Sequence, residues 1–266
     1  MGNLCGEASL RKKFAGDFEG VLSAVTVDFR TDLTQASFDW VDMVFKQLAF
    51  LVNVSLEAEG QRQMFELELL PDIDTLLKRC NSTDAAQRAT LERCLNLLSK
   101  VVKQPDAALA VSSMRHVVFK LVLYSSGQFK GELQMNAFRC LHAVFKTSDF
   151  GARAISELGL TTAVFDNLPK DLVTVFKDSY EREEPDWSAF VNTCAVTIAT
   201  IEAFPDRIPE FNELVPAVIE VVKEKTEVIR KNAAVLLAKM AGNPETKEVI
   251  RKHHGMDVLI SLRSAF

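Results

Sequence analysis

The sequence predicts an all-α protein, a right-handed α-solenoid of about five short helical repeats. The composition supports this fold class, because 48% of the 266 residues are hydrophobic while only 11 are Gly and 8 are Pro, which leaves many core formers and few loop formers. The second observation is a recurrence. At five places an apolar anchor residue is followed eight positions later by an acid: Leu51 and Glu59, Leu98 and Asp106, Leu141 and Asp149, Ile198 and Asp206, and Leu237 and Glu245.

Each of these pairs marks a corner at which one helix ends and the next begins. Pro105, Pro205 and Pro244 directly precede the acid in three of them. Proline lacks the N–H that a helix interior needs but suits a first turn, and an acid in that turn faces the positive end of the helix dipole. The apolar register then resumes after each corner, at Met64, Val111, Ile155, Phe211 and Ile250.

The remaining elements follow in chain order. Residues 1–16 are expected to be a flexible tether and residues 17–266 a single solenoid domain, with helices that begin near Asp17 and again near Thr34 or Ser37. Residues 91–102 carry apolar side chains at the spacing of a buried helix face. The β-branched run 117–124 would suit a strand, but its position between two corners favours a buried helix.

The spacing of the anchors narrows the type of repeat. Successive anchors are 47, 43, 57 and 39 residues apart, whereas HEAT and armadillo repeats span roughly 40–47 residues and leucine-rich and ankyrin repeats are shorter. Stacked units of this kind contact mainly their neighbours and present an extended surface. The pattern therefore predicts a binding protein without identifying its partner.

Two stretches resemble the armadillo repeat. Residues 48–77 contain an apolar helix that ends in Asn53, a hydrophobic residue and Ser55, then a polar corner and two helices. Residues 231–262 add the small pair Ala233 and Ala234, a Gly-Asn-Pro-Glu corner at 242–245, and Gly255 at the start of the last helix. The resemblance extends over about residues 40–266 and implies a right-handed armadillo solenoid.

Charge and apolar run lengths favour some compartments and partners over others. The net charge of −5 and the pI near 5.5 disfavour nucleic acid as the partner, since phosphate binding relies on clustered Lys and Arg. No apolar run reaches the roughly 18 residues of a membrane-spanning helix, and the N-terminus lacks a secretory signal. An intracellular protein without disulfides is expected, in which Cys94, Cys140 and Cys194 are small buried hydrophobes.

The N-terminus has the pattern of an acylation site. Removal of Met1 would expose Gly2 for myristoylation, and Cys5 could accept palmitate, although Gly6 stands where the usual pattern has Ser or Thr. Stable attachment needs two signals, because one myristoyl chain binds a membrane weakly. A short cluster of basic residues near the membrane would add to the attraction to anionic lipid: Arg11, Lys12 and Lys13.

An acylated N-terminus followed by armadillo repeats resembles the armadillo-repeats-only proteins of protozoan parasites. That resemblance implies a non-catalytic adaptor on the cytosolic face of an organelle membrane, which recruits a myosin motor or other organelle-positioning proteins through its repeats. Only Gly2 and Cys5 carry the likeness residue by residue. Two alternatives stay open: a soluble cytosolic or cytoskeletal scaffold with an unmodified N-terminus, and a regulatory subunit of a larger complex.

The residues predicted to line the partner groove stand two positions after each anchor in the sequence. Nuclear import adaptors place Asn at these positions, and here the residues are Asn53, Lys100, Ala143, Thr200 and Lys239. One Asn in five does not suit a basic peptide, whereas Lys100 and Lys239 could bind an acidic segment or a C-terminal carboxylate. The alternative for each lysine is ordinary solvated surface.

The longest repeat contains extra sequence that ends at Trp187. Insertions in repeat proteins often lie on the binding face, so Trp187 beside the acids 181–186 is a candidate contact for a basic partner. The alternative is that Trp187 fixes the following helix to the core. Neither His, Cys nor Ser residues form a known catalytic or metal-binding motif, and therefore no enzyme activity, cofactor, metal or small-molecule substrate is predicted.

Overall fold

The computed structural model describes residues 7–16, 20–34, 40–160, 162–181, 183–223 and 227–263, and every regular element in them is a helix. The predicted all-α fold is confirmed at this level. The elements are α1 Ala8–Ala15, α2 Val21–Thr34, α3 Trp40–Val54, α4 Ala58–Glu66, α5 Leu69–Arg79, α6 Ala85–Val101, α7 Pro105–Ser112, α8 Arg115–Ser125, α9 Glu132–Phe145, α10 Phe150–Ser156, α11 Thr162–Phe165, α12 Leu168–Tyr180, α13 Trp187–Ala203, a 3₁₀ helix Pro205–Leu214, α14 Val215–Val222, α15 Glu227–Met240, α16 Pro244–Lys252 and α17 Gly255–Arg263.

The five predicted corners are all present. The apolar anchors lie near the C-terminal ends of α3, α6, α9, α13 and α15, and a new helix starts within one residue of each acid. Asp106 and Glu245 are the second residues of their helices, and Asp149 directly precedes α10. The run 117–124 lies inside α8, so it is helical as the corners indicated.

The helices pack as a repeating arrangement of two layers. The long helices α3, α6, α9, α13 and α15 pack side by side in chain order and are called the long-helix layer below. Helices α2, α5, α8, α12 and α14 form an outer layer, and each packs against the long helix that follows it. Helices α6 and α9 run in the same direction, because the Asn136 amide donates to the Glu92 carbonyl at 3.3 Å and the Cys140 thiol lies 3.7 Å from the Leu95 carbonyl.

Apolar side chains fill the space between the layers. The anchors Leu51, Leu98, Leu141 and Leu237 are fully buried. The longest repeat is closed by a cluster of phenylalanine rings whose centroids lie 5.0–6.4 Å apart. Aromatic pairs in such tilted and edge-to-face arrangements add to the stabilisation from burial. The cluster joins α9, α10, α11 and the end of α13 through Phe145, Phe150, Phe165 and Phe204.

Two corners bring backbones so close together that a side chain does not fit. A Cβ atom on Gly60 would lie 2.4 Å from the Val54 carbonyl oxygen, and one on Gly151 would lie 2.1 Å from the Ala203 carbonyl oxygen. Real Cβ contacts are longer than this, so only glycine allows the short helix to cross the end of the long helix at this distance. Both glycines are therefore required by the geometry of the corner.

The N-terminal segment differs from the prediction. Residues 8–15, expected to belong to a flexible tether, form α1, which packs against α3 and α4. Ala15 is buried, the Phe14 ring lies edge-to-face 5.6 Å from Phe50, and Arg11 lies 3.6 Å from the carboxylate of Glu57. Burial of these apolar groups stabilises a helix that is too short to form alone. The predicted boundary at residue 16 is therefore wrong for residues 8–15.

The next two helices begin at Val21 and Trp40. Asp17 and Ser37 lie outside the described residues, and Thr34 ends α2 rather than starting a helix. Among the described residues, no single helix is long and apolar enough to span a membrane, and the pair α7 and α8, which satisfies length and composition together, is bent by 93°.

Candidate functional site

A cavity of about 870 Å³ opens between the C-terminal halves of α6 and α9 and extends to α13. It lies on the long-helix layer, and the corners after α6 and α9 form its other walls. A volume of this size is typical of pockets that hold a small molecule or several residues of a peptide. The lining residues are Ser99, Lys100, Val102, Lys103, Pro105, Asp106, Ala108, Leu109, Phe138, Arg139, His142, Ala143, Lys146, Thr147, Ser148, Asn192 and Ala195.

The charges of this lining are strongly unbalanced. The cations are Lys100, Lys103, Arg139 and Lys146, and Asp106 is the one acid in the lining. We call this site the basic cavity. Because the whole chain carries a net charge of −5, such a concentration of positive charge is a local property of this place in the stack.

Two of the cations are held in place by asparagines one turn earlier on their own helices. The Lys100 ammonium donates to the Asn96 side-chain oxygen, and Arg139 donates to the Asn136 side-chain oxygen at 2.7 Å. Burial lowers the pKa of Lys100, and the nearby charges of Lys103 and Arg139 lower it further. The cavity thus contains positive charges that repel one another.

The other two lysines stand at the rim. Lys103 and Lys146 are exposed and occupy the corners directly after α6 and α9. Within the described part of the chain, neither lysine lies within ion-pair distance of a carboxylate. Lys103 and Lys146 share the cavity lining with the cations Lys100 and Arg139. Their charges are therefore available to a ligand.

His142 is the titratable group between these cations. Burial lowers the pKa of His142 below its ordinary value, and the positive charge of Lys146 lowers it further, while Glu202 acts in the opposite direction. The imidazole is therefore neutral at neutral pH. An anion placed in the cavity would favour its protonation.

A second cavity of about 420 Å³ is shared by α3, α6 and α9. Its polar lining is rich in amides, with Asn53, Asn96 and Asn136, and its charges are mixed. Arg93 is held against Phe45, 3.6 Å above the ring, and donates to the Phe45 carbonyl at 2.9 Å. The two cavities therefore adjoin along the same pair of long helices but differ in charge.

The structure separates the three residues of the predicted partner groove. All three lie on the long-helix layer, but Lys100 lines the basic cavity while Asn53 lines the second cavity. Lys239 lies in neither, and its ammonium pairs with Glu202 at 2.6 Å. Lys103, Arg139 and Lys146 were not among the residues predicted from the sequence. A signal was present, because Lys103 and Lys146 both stand five positions after an anchor.

Trp187 follows the alternative interpretation of the insertion. It is the first residue of α13, is partly buried against the core, and its ring lies 5.8 Å from that of Phe190. This contact fixes the start of α13 to the core. The preceding residue, Asp186, caps the helix by accepting a hydrogen bond from Ala189 N at 2.9 Å.

The predicted lipidation residues Gly2 and Cys5 lie outside the described residues. Lys12 and Lys13 are exposed in the last turn of α1, whereas Arg11 is half-buried and near Glu57. Arg11, one of the three basic residues predicted to face a membrane, thus lies beside an acid of the protein itself. Lys12 and Lys13 remain on the surface.

The described cysteines are buried in the core. Cys80, Cys94, Cys140 and Cys194 are free and buried, as predicted for three of them, and burial raises the pKa of Cys80 to about 12. High thiol pKa values leave little thiolate, which is the reactive form. Among the residues that the structure describes, no three His, Cys, Asp or Glu side chains could together hold a metal ion.

Comparisons with known proteins address the fold. No protein-family model matches the chain, and no curated protein matches it. Among solved structures, the crystal structure of an engineered protein is similar, with a TM-score of 0.63 and 17% sequence identity over 90% of this chain and 88% of that chain. At this level of identity the similarity shows a shared helical fold.

Proposed function

We propose that this protein is a non-catalytic adaptor of the armadillo type, a right-handed solenoid whose long-helix layer binds a partner protein. The single observation that carries the proposal is the presence of two adjoining cavities on the layer formed by α3, α6, α9 and α13. A side-by-side stack of equivalent helices offers an extended chain a series of equivalent positions. That geometry favours recognition of a polypeptide segment.

We propose further that acylation at Gly2 and Cys5 tethers the adaptor to the cytosolic face of a membrane. Supporting this, α1 packs directly on α3 and α4, so acyl groups attached at Gly2 and Cys5 would be linked through α1 to the body of the stack. Two acyl chains would attach the protein stably, whereas one would not. The partner would then be gathered at that membrane, and a motor or another organelle-positioning protein is the partner class that the family resemblance implies.

A soluble scaffold is the second candidate. The observation that favours it is the position of Arg11 beside Glu57, which removes one cation from the basic cluster expected to contact lipid. The two candidates share the same binding face. They differ only in the chemistry of the N-terminus.

The tether is tested by the intact mass of the protein from its native cell, together with the membrane-bound fraction of Gly2→Ala and Cys5→Ser variants. We expect loss of Met1, addition of acyl groups, and release of both variants to the soluble fraction. An unmodified N-terminus with all three forms soluble would select the scaffold.

The binding face is tested by placing the same bulky side chain on each layer. Ala143→Trp would fill the basic cavity, and Thr174→Trp would stand on the exposed surface of α12 in the outer layer. We expect Ala143→Trp to lose the proteins that co-purify with the wild type and Thr174→Trp to retain them. Loss in Thr174→Trp alone would place the binding surface on the outer layer.

A further inference from the structure

We propose that the basic cavity binds an acidic segment of a partner protein, with clustered carboxylates seated between α6 and α9. The inference rests on the proposed function, because it names the chemistry of the partner for the same face. It assigns a binding role to Lys103, Arg139 and Lys146 as well as to Lys100.

The first step is charge complementarity. Lys100, Lys103, Arg139 and Lys146 line one cavity that contains a single acid, Asp106. Like charges this close destabilise the empty site, and an anionic ligand removes that repulsion. Binding of an anion is therefore favoured by the loss of repulsion between the cations as well as by the new contacts it makes.

The second step is preorganisation. The hydrogen bonds from Lys100 to Asn96 and from Arg139 to Asn136 fix two long side chains of the lining at the inner end of the cavity before any ligand arrives. Less side-chain entropy is then lost on binding. The guanidinium of Arg139 also offers the fork that pairs with a carboxylate or phosphate through two hydrogen bonds.

The third step concerns the rim. Lys103 and Lys146 are exposed on the corners after α6 and α9, one on each side of the cavity. Rim charges of this kind mainly attract a ligand over a distance and suppress ligands of the wrong charge. They are accessible, so they can be changed without disturbing the core.

The shape of the site favours a peptide over a membrane or a nucleic acid. The cavity lining also includes half-exposed Leu109, whose apolar surface suits an apolar residue of a polypeptide. Glu132 lies 3.8 Å from Arg139, and Glu202 lies close enough to His142 to influence its pKa. Such a confined positive region differs from the broad basic surface that a lipid headgroup layer or a phosphate backbone requires.

The test uses the full chain and a fluorescein-labelled peptide of alternating glutamate and serine, measured by fluorescence anisotropy at low and high salt. A matched peptide with glutamine in place of glutamate measures uncharged binding. Vesicles of phosphatidylcholine with and without phosphatidylserine measure binding to lipid. Two double variants are compared. The cavity pair is Lys103→Glu combined with Lys146→Glu, and the control pair is Lys170→Glu combined with Lys252→Glu. All four lysines are exposed, and both pairs change the net charge by the same amount.

We expect the wild type to bind the glutamate peptide and not the glutamine peptide, with affinity that falls as salt is raised. The cavity pair should weaken binding at least about tenfold, while the control pair should change it by less than about threefold. Lys103→Gln with Lys146→Gln should give an intermediate loss, because it removes the charges without adding acids. Circular dichroism melting checks that each variant is folded.

Three results would overturn the inference. These are absence of peptide binding by the wild type, equal loss in the cavity and control pairs, and binding to phosphatidylserine vesicles but not to the peptide. If any of these occurs while Ala143→Trp still removes co-purifying proteins, the adaptor function stands and only the acidic class of partner is wrong.

Discussion

At the scale of single residues, the corners depend on glycines whose neighbours leave no space for a methyl group. We predict that Gly151→Ala lowers the free energy of unfolding by at least about 1 kcal/mol, because its Cβ would lie 2.1 Å from the Ala203 carbonyl oxygen and the backbone would have to move. Urea denaturation measures this. Gly127→Ala is the control, since its Cβ would meet nothing closer than 3.9 Å, and equal losses in both variants would contradict the steric explanation.

The lowered pKa of His142 predicts that the free energy of unfolding depends on pH. Burial lowers its folded-state pKa below its ordinary value of 6.5, so the unfolded chain binds more protons than the folded protein as the pH falls through that region. Stability is therefore lost on acidification below about pH 7. His142→Gln should reduce the fall in Tm between neutral and mildly acidic buffer, whereas exposed His253→Gln should not. An unchanged fall in His142→Gln would contradict the prediction.

The cavity residues show how far single positions could be read from the sequence. Lys100 was found because it stands at a fixed offset from an anchor. Arg139 and Lys146 were missed because their meeting depends on the side-by-side packing of α6 and α9, which brings together residues about forty positions apart. An offset of five from the anchors would have found Lys103 and Lys146, but nothing in the sequence singles out that offset before the packing is known.

At the scale of helices, the capping residues decide where each element starts. Asn243 accepts hydrogen bonds from Glu245 N at 3.0 Å and Thr246 N at 3.1 Å at the start of α16. We predict that Asn243→Ala destabilises the protein by about 0.5–2 kcal/mol. Asn167, which precedes α12 without a side-chain cap bond, supplies the control, and Asn167→Ala should cost less than about 0.5 kcal/mol in the same denaturation experiment.

The packing of α1 through Phe14 predicts that this helix opens locally when the Phe14 ring is removed. Phe14→Ala removes the ring contact with Phe50, and the amides of residues 8–15 should then exchange hydrogen much faster while those of the long helices do not. Lys12→Ala, on the exposed side of the same helix, should leave exchange unchanged. Unaltered protection of α1 in Phe14→Ala would mean that its attachment depends on other contacts.

The corners could be predicted because proline and acids act locally on the first turn of a helix, and four of the five preceding anchors are fully buried while Ile198 is partly buried. Helix α1 could not be predicted in this way. Its sequence, Ala-Ser-Leu-Arg-Lys-Lys-Phe-Ala, is only 8 residues long, too short to show a repeated apolar pattern, and its helical state follows from packing on α3 and α4. Tertiary contacts of this kind leave no periodic pattern.

At the scale of the molecule, the repeat pattern predicted the corners, and the structure adds how the helices that end at these corners pack together. Helices α3, α6, α9, α13 and α15 pack side by side in one layer, and the phenylalanine cluster around Phe150 and Phe204 fills the longest repeat. Charge was harder to foresee on this scale. The chain is acidic as a whole, and its basic site emerges only when two neighbouring repeats are placed side by side.

The most direct measurement of the central claim is site-specific photo-crosslinking in the native cell, because it reports contact with a partner and not only loss of binding. A photo-reactive amino acid would replace Ala143 on the long-helix layer in one variant and Thr174 on the outer layer in another. Our account predicts a crosslinked partner protein from position 143 and none from position 174. A partner crosslinked at 174 but not at 143 would contradict it.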